Sequence, residues 1–271
     1  MTAIKNIMAN FKRYKFLMSQ LILRDFKVKY KRSVLGVVWS LLYPILMMAV
    51  MALVFSNMFR FQVDGVSYLV YLLTGIVIYS YFSEASNLAM TSVVHNFTLI
   101  NKVYIPKYIF PLAKCLFVGI NFLLTLIPWF LIIILTHFGL GNFPAAPINI
   151  YYLILPFIFL CLLLFTVGMG FFLSCTSVFL RDIFYIYGII LTIWQYFTPV
   201  FYSIEIIPQN LQFLFEFNPI YQFLNAARTI VLYGQCPSAL NLILCATYAA
   251  IAMVVGCVVF KKNQDKFIYY I

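Results

Sequence analysis

Apolar residues in this chain run together in long blocks. They follow neither the alternation of a half-buried strand nor the three-to-four spacing of a surface helix. From Cys115 to Leu180 there is no Asp, Glu, Lys or Arg. A bilayer core about 30 Å thick takes roughly 20 apolar residues per helical crossing. Six windows of that kind can be read, at about 34–56, 66–91, 110–136, 150–175, 183–202 and 239–260. The long uncharged run is split by turn signals at Gly139, Gly141, Pro144 and Pro147. Backbone groups in hydrocarbon must be satisfied within the segment, and short alternating segments are absent, so the windows predict helices rather than a barrel. The expected fold is an all-α membrane protein with six transmembrane helices.

Two stretches depart from that plan. Phe11, Tyr14, Leu17, Met18, Leu21, Ile22 and Phe26 share about half a helical circumference. Lys12, Arg13, Arg24 and Lys27 take most of the other half, and Lys15 and Asp25 intrude. A basic amphipathic helix of this kind predicts a segment lying in the membrane interface. Amphipathicity alone favours a topology anchor over a docking surface. The second stretch, about 203–237, carries too many apolar residues for a solvent loop, and Pro208 and Pro219 punctuate it into two short helices. Neither is long enough to span. Both predict interfacial or re-entrant pieces, passive or forming a wall over a path.

Composition agrees with the pattern: 65% hydrophobic, 9% charged and 19% aromatic, with a formal net charge of +11. With six crossings, only Arg60 and Arg228 of the 18 Lys and Arg fall on the side opposite the termini. The positive-inside rule then places both termini in the cytoplasm. Topology and attraction to anionic lipid account for the charge, which therefore gives no reason to expect a nucleic-acid partner. The first 33 residues are too polar for a signal-peptide core. Of six cysteines, five fall in predicted helices as small apolar side chains and Cys236 faces outward.

The chemistry expected of a membrane enzyme is missing. No Lys precedes Ser or Thr, so there is no P-loop, and HExxH and GxSxG do not occur. The four Asp are isolated, and the histidines are His95 and His137. No metal site is expected. Glu84, in the second window, is read as an ion-pair partner of the basic N-terminal segment rather than a proton site. A membrane glycosyl- or acyltransferase and a non-catalytic scaffold remain as alternatives.

Four ordered stretches carry a family resemblance. They are Leu23 to Ser40 (LRDFKVKYKRSVLGVVWS), Leu99 to Pro106 (LINKVYIP), Phe179-Leu180-Arg181-Asp182, and Thr198-Pro199-Val200-Phe201-Tyr202 through Ile207-Pro208 to Asn218-Pro219. Together they resemble type-2 ABC exporter permeases, the subunits that export lipid-linked O-antigen, capsule or teichoic acid. The resemblance implies a homodimer in the bacterial plasma membrane, paired with two separate ATPase subunits that hold ATP and Mg. It divides the chain into an interface segment 1–33, a permease domain 34–260 and a tail 261–271. It also implies a coupling helix at about 94–105 and external helices at about 203–232. In that scheme the docking reading of the N-terminus outranks the anchor reading. Asn96, Leu99, Ile100, Asn101, Lys102, Arg24 and Lys27 would meet the ATPase. Trp39, Tyr43, Trp194, Tyr196, Phe197 and Tyr202 would line the path. Glu205, Glu216 and Arg228 stand near an external gate, or are plain solvated surface charges. Arg181 and Asp182 are expected to form a turn with local ion pairing, with a coupling role as the second reading. An exporter of drugs or small lipids is the rival within the same class.

Overall fold

The computed structural model describes residues 2–29, 31, 33, 35–58, 67–102, 105–139 and 144–270, with residues 2–13 described as backbone only. Every regular element among the described residues is helical. Helix α1 (Thr2–Lys29) precedes α2 (Trp39–Met58) and α3 (Tyr68–His95), and short α4 (Phe97–Lys102) leads to α5 (Ile109–His137). Then come α6 (Leu155–Phe179), α7 (Ile183–Tyr196), α8 (Gln209–Glu216), α9 (Pro219–Val231), α10 (Ala239–Asn263) and α11 (Phe267–Tyr270). The all-helical class matches the sequence expectation.

Among the described residues four segments are long and apolar enough to cross a membrane: Tyr68–His95, Ile109–His137, Ile150–Phe179 and Ala239–Lys266. Two further apolar stretches are shorter, Trp39–Met51 and Ile183–Tyr196. The chain is a multi-pass membrane protein. Helix α7 stops at Tyr196, short of the expected 202, because Thr198–Val200 leave the helix in a turn that Pro199 cannot continue as helix.

Helix α3 is the centre. It is apolar around its circumference and packs against α5, α6, α7, α9 and α2. Burial covers 78% of its most apolar window, against 17% for α10, which turns Leu240, Ile243, Ile251, Val254 and Val258 outward. Helices α6 and α10 approach each other closely. A Cβ on Gly168 would sit 2.3 Å from the Ala252 carbonyl carbon, and one on Gly256 would sit 2.1 Å from the Gly168 oxygen. Only small residues permit that approach, and in lipid such close packing supplies much of the helix–helix attraction.

Helix α9 is more deeply set than an interfacial helix. Ile220, Phe223, Ala226, Ala227, Ile230 and Val231 are fully buried, packed on α3, α6 and α10. Helix α8 keeps Leu211, Phe213 and Leu214 exposed and buries Phe215. Cys115, Cys161, Cys175 and Cys245 pack in the interior as expected, whereas Cys257 joins Cys236 at the surface.

Candidate functional site

Three neighbourhoods hold the residues singled out from sequence. The first is the basic end of the bundle. Helix α1 lays Met18 and Leu21 against Ile105, Ile109, Phe110 and Ala113, with Tyr14, Leu17 and Ile22 at the margin. This is the apolar face read from the sequence; the Phe11 side chain lies outside the described residues. Asp25, an intruder on that face, is buried. It is ion-paired with Lys114, Oδ2 to Nζ 2.8 Å, and its Oδ1 accepts from Arg24 Nη2 at 3.2 Å. Arg24 Nη1 also donates to Asn96 Oδ1 at 3.0 Å, and the Asn96 amide donates to Ser92 O at 2.7 Å. Asn96 is therefore a buried joint between α1, α3 and α4. Leu99 and Ile100 turn inward to the same cluster. The outward residues are His95, Thr98, Asn101 and Lys102, beside exposed Arg24 and Lys27. Lys107 donates to Gln264 O at 2.5 Å, and its partial burial holds the amine below the usual lysine range.

Arg181 and Asp182 do form the expected turn, with the Asp182 carbonyl accepting from Tyr185 and Ile186. Local pairing is a correction: among the described residues the ion pairs are Arg24–Asp25, Lys29–Glu84 and Lys114–Asp25. Both side chains are exposed.

The second neighbourhood is a cavity of about 710 Å³ between α2, α3 and α5. Lys29 and Glu84 meet at its basic end, Nζ to Oε1 3.3 Å, so the expected ion pair of Glu84 is formed. Trp39, Ser40, Tyr43, Met47, Met48 and Met51 form one wall, and Leu73, Ile76, Val77, Ser80, Asn121 and Thr125 the others. No residue of α7 lines it. Trp194 instead points into the core, 5.1 Å from the Phe82 ring, and donates to Asn218 Oδ1 at 2.9 Å. Tyr196 is exposed, Phe197 stacks on Phe215 at 4.8 Å, and Tyr202 donates to Tyr196 O at 2.6 Å. The six aromatic residues expected along the path are thus divided between two places within one chain.

The third is the outer end. Glu205 and Glu216 are exposed, but Arg228 is not a solvated charge. It is 5% exposed and donates to Pro199 O at 2.7 Å, Val200 O at 3.0 Å and Tyr71 O at 3.1 Å. Its guanidinium carbon lies 3.4 Å from the Tyr71 ring centroid. The Tyr71 hydroxyl in turn donates to Tyr202 O at 2.7 Å, and Tyr68 donates to Phe201 O at 2.7 Å. Asn218 caps α9 by accepting from Ile220 N, and its amide donates to Phe197 O and Thr198 Oγ1. The Thr198–Tyr202 and Asn218-Pro219 stretches are therefore one knot joining α3, α7 and α9. Sequence reading missed this cage because its acceptors are backbone carbonyls; Gly75, which admits the guanidinium, is the one residue-type signal.

Among the described residues no three His, Cys, Asp or Glu side chains come together to hold a metal. What the molecule presents is a braced basic face, a membrane cavity and a knotted outer end. Comparison with known proteins points the same way. An O-antigen export system permease protein, RfbA, of Klebsiella pneumoniae is 28% identical over 244 residues, 90% of each chain. A protein of the same title from Myxococcus xanthus is 24% identical over 94% of this chain and 95% of its own. The polysialic acid transport protein KpsM of Escherichia coli is 20% identical over 95% and 97%. Residues 17–232 match the ABC-2 type transporter family, and with four spans of membrane length and this matched extent the chain belongs to that family of membrane permeases.

Proposed function

We propose that this chain is the membrane subunit of an ATP-driven exporter that carries a lipid-linked polysaccharide of O-antigen, capsule or teichoic acid type across the bacterial plasma membrane. Full-length similarity to permeases named for O-antigen export and polysialic acid transport supports the cargo class. In this reading α2 and α7 complete six crossings, both termini are cytoplasmic, and two copies pair around the path. Exposed Tyr185, Ile189, Ile193 and Tyr196 on α7 would face the partner copy or the path. Two ATPase subunits would hold ATP and Mg and supply the phosphate-binding loop that this sequence lacks.

The observation that carries the proposal is the braced basic face. Asp25, Lys114, Arg24 and Asn96 fasten α1 to α3, α4 and α5, and leave Asn101, Lys102 and Lys27 pointing out. A load applied to α4 is passed to α3, the central helix, without first bending a loop. Nucleotide-driven closure of a partner shifts the permease only through contacts that differ between its two states, and an outward rigid face provides them.

The test is affinity purification from native membranes followed by an ATP hydrolysis assay. Wild type should bring down an ATPase, and Lys102→Glu with Asn101→Asp should lose it while α-helical circular dichroism stays unchanged. Wild type that reproducibly purifies alone, with no nucleotide hydrolysis, would sink the reading. Accumulation of undecorated glycan on the cytoplasmic face in a deletion strain separates polysaccharide cargo from a drug or small lipid.

A further inference from the structure

Besides Trp39 and Tyr43, the cavity between α2, α3 and α5 carries charged and polar groups that stacking on a glycan does not call on. Its basic end holds one cation and one anion side by side, Lys29 and Glu84, 3.3 Å apart and each exposed by about two-fifths to one-half (39% and 47%). The pair is solvent-accessible and its geometry is long, so both ends can exchange partners at little cost. Lys29 also lies 5.5 Å from the Phe117 ring centroid, which holds the ammonium over the cavity rim. Asn121 lines the wall, is 8% exposed, and has an Oδ1 that accepts no hydrogen bond, while its amide donates to Phe117 O at 3.3 Å. With Ser80 and Thr125 it makes the wall beside Glu84 polar. Above these polar groups the walls are Met47, Met48, Met51, Leu73, Ile76 and Val77. From Leu73 to Glu84 the cavity follows α3 for about 16 Å at about 1.5 Å per residue. Methionines give a flexible wall suited to a mobile chain.

We infer that this cavity binds one ethanolamine phospholipid, with its phosphate on Lys29, its ammonium on Glu84 and the Asn121 wall, and an acyl chain along the methionines. Charge decides among the lipids. A choline head has no N–H and cannot donate to Glu84 or Asn121. A glycerol head brings no cation, and leaves the Glu84 carboxylate facing the phosphate. A polyprenyl diphosphate adds a second anion beside that carboxylate, so the site disfavours the head of an export carrier. The bound lipid would brace α2 against α3, the helix that α4 acts upon in the proposed export cycle.

The test uses the full chain, delipidated in detergent and titrated with defined phospholipids under native mass spectrometry. Phosphatidylethanolamine should bind at least about tenfold more tightly than phosphatidylcholine, a difference of about 1.4 kcal/mol. Glu84→Gln, isosteric and at a half-exposed position, should bring the two lipids to parity. Lys29→Gln should weaken both equally and serves as the second reading if Glu84→Gln does not fold. A diazirine-chain ethanolamine lipid should label the peptide holding Met47, Met48 and Met51. Equal binding of the two lipids in wild type, tighter binding of phosphatidylglycerol or a polyprenyl diphosphate, or an undiminished preference in Glu84→Gln would each overturn the assignment. None of these measurements depends on which cargo is exported.

Discussion

Each end of this bundle contains a charge that the membrane should penalise, and the two ends neutralise it differently. At the basic end, buried Asp25 faces two cations, Lys114 and Arg24, so charge meets charge. At the outer end, buried Arg228 meets no carboxylate among the described residues; it has three carbonyls and the face of Tyr71. The first arrangement fastens one helix to another through side chains. The second fastens a turn, because two of the three acceptors are consecutive backbone carbonyls at Pro199 and Val200. A guanidinium is well shaped for this, since its planar fork serves several acceptors at once and stacks on an aromatic ring, which an ammonium does not do as well. The basic end is thus a joint between rigid helices, and the outer end is a clasp on irregular backbone.

Breaking the clasp should have the largest effect. Arg228→Met removes the donors from three buried carbonyls and the cation from the Tyr71 face. Hydrogen bonds to charged groups are worth about 1.5–3 kcal/mol each in mutational series, and losses within one network are not additive. A total of about 3 kcal/mol is expected, read as a drop in apparent melting temperature and as new protease sensitivity at 198–202. Arg228→Lys should recover only part of it, because one ammonium cannot reach all three carbonyls in the same geometry. Full recovery by lysine would show that charge, and not the fork, holds the turn.

Gly75 tests the same clasp from the other side. A Cβ there would lie 2.9 Å from Arg228 Nη2 and 3.0 Å from Val200 O. Gly75→Ala must displace the guanidinium or the turn, at a cost of about 1–3 kcal/mol typical of overpacking. Paired with Arg228→Met, which leaves room, the cost of Gly75→Ala should shrink. Strict additivity in that double-mutant cycle would mean that Gly75 is needed for something other than the arginine.

The two ends also differ in how much of them could be read from the chain. Six helical windows, the amphipathic face of α1 and the partner of Glu84 follow from hydrophobic runs and from opposite charges within reach. Such signals are carried by residue types. Even Asp25, interrupting an apolar face, marks a charge that needs a partner, and Lys114 at the start of α5 supplies it. The arginine cage is carried by carbonyls, which every residue has, so Arg228 reads as one more external charge. The inward turn of Asn96, Leu99 and Ile100 is equally hidden, because a helix as short as α4 shows no periodicity from which to assign a face. The division of the aromatic residues between the cavity and the α7 surface depends on helix rotation, which uniformly apolar runs leave undetermined.

At the basic end the expected effect is intermediate. Asp25→Asn leaves Lys114, 20% exposed, facing a neutral amide. A loss of about 1–3 kcal/mol is expected from the uncompensated amine. Adding Lys114→Met should restore much of it, since replacing both members of a buried pair with apolar or neutral groups is often close to neutral. Failure of the second substitution to rescue the first would make Arg24, rather than Lys114, the partner that matters.

The smallest effect belongs to Lys29 and Glu84, and its size sharpens the contrast. Both side chains are substantially exposed and 3.3 Å apart, so the pair falls in the range of about 0–1 kcal/mol measured for surface ion pairs. Glu84→Gln in lipid-free detergent should leave the melting temperature within about 1–2 °C of wild type, and raising ionic strength should erase even that. Asp25→Asn should keep most of its deficit at the same salt concentration, because a buried pair is screened much less. A Glu84→Gln deficit as large and as salt-resistant as that of Asp25→Asn would place Glu84 in the joint itself. It would then be a structural brace of α1, and no longer free to exchange Lys29 for a ligand.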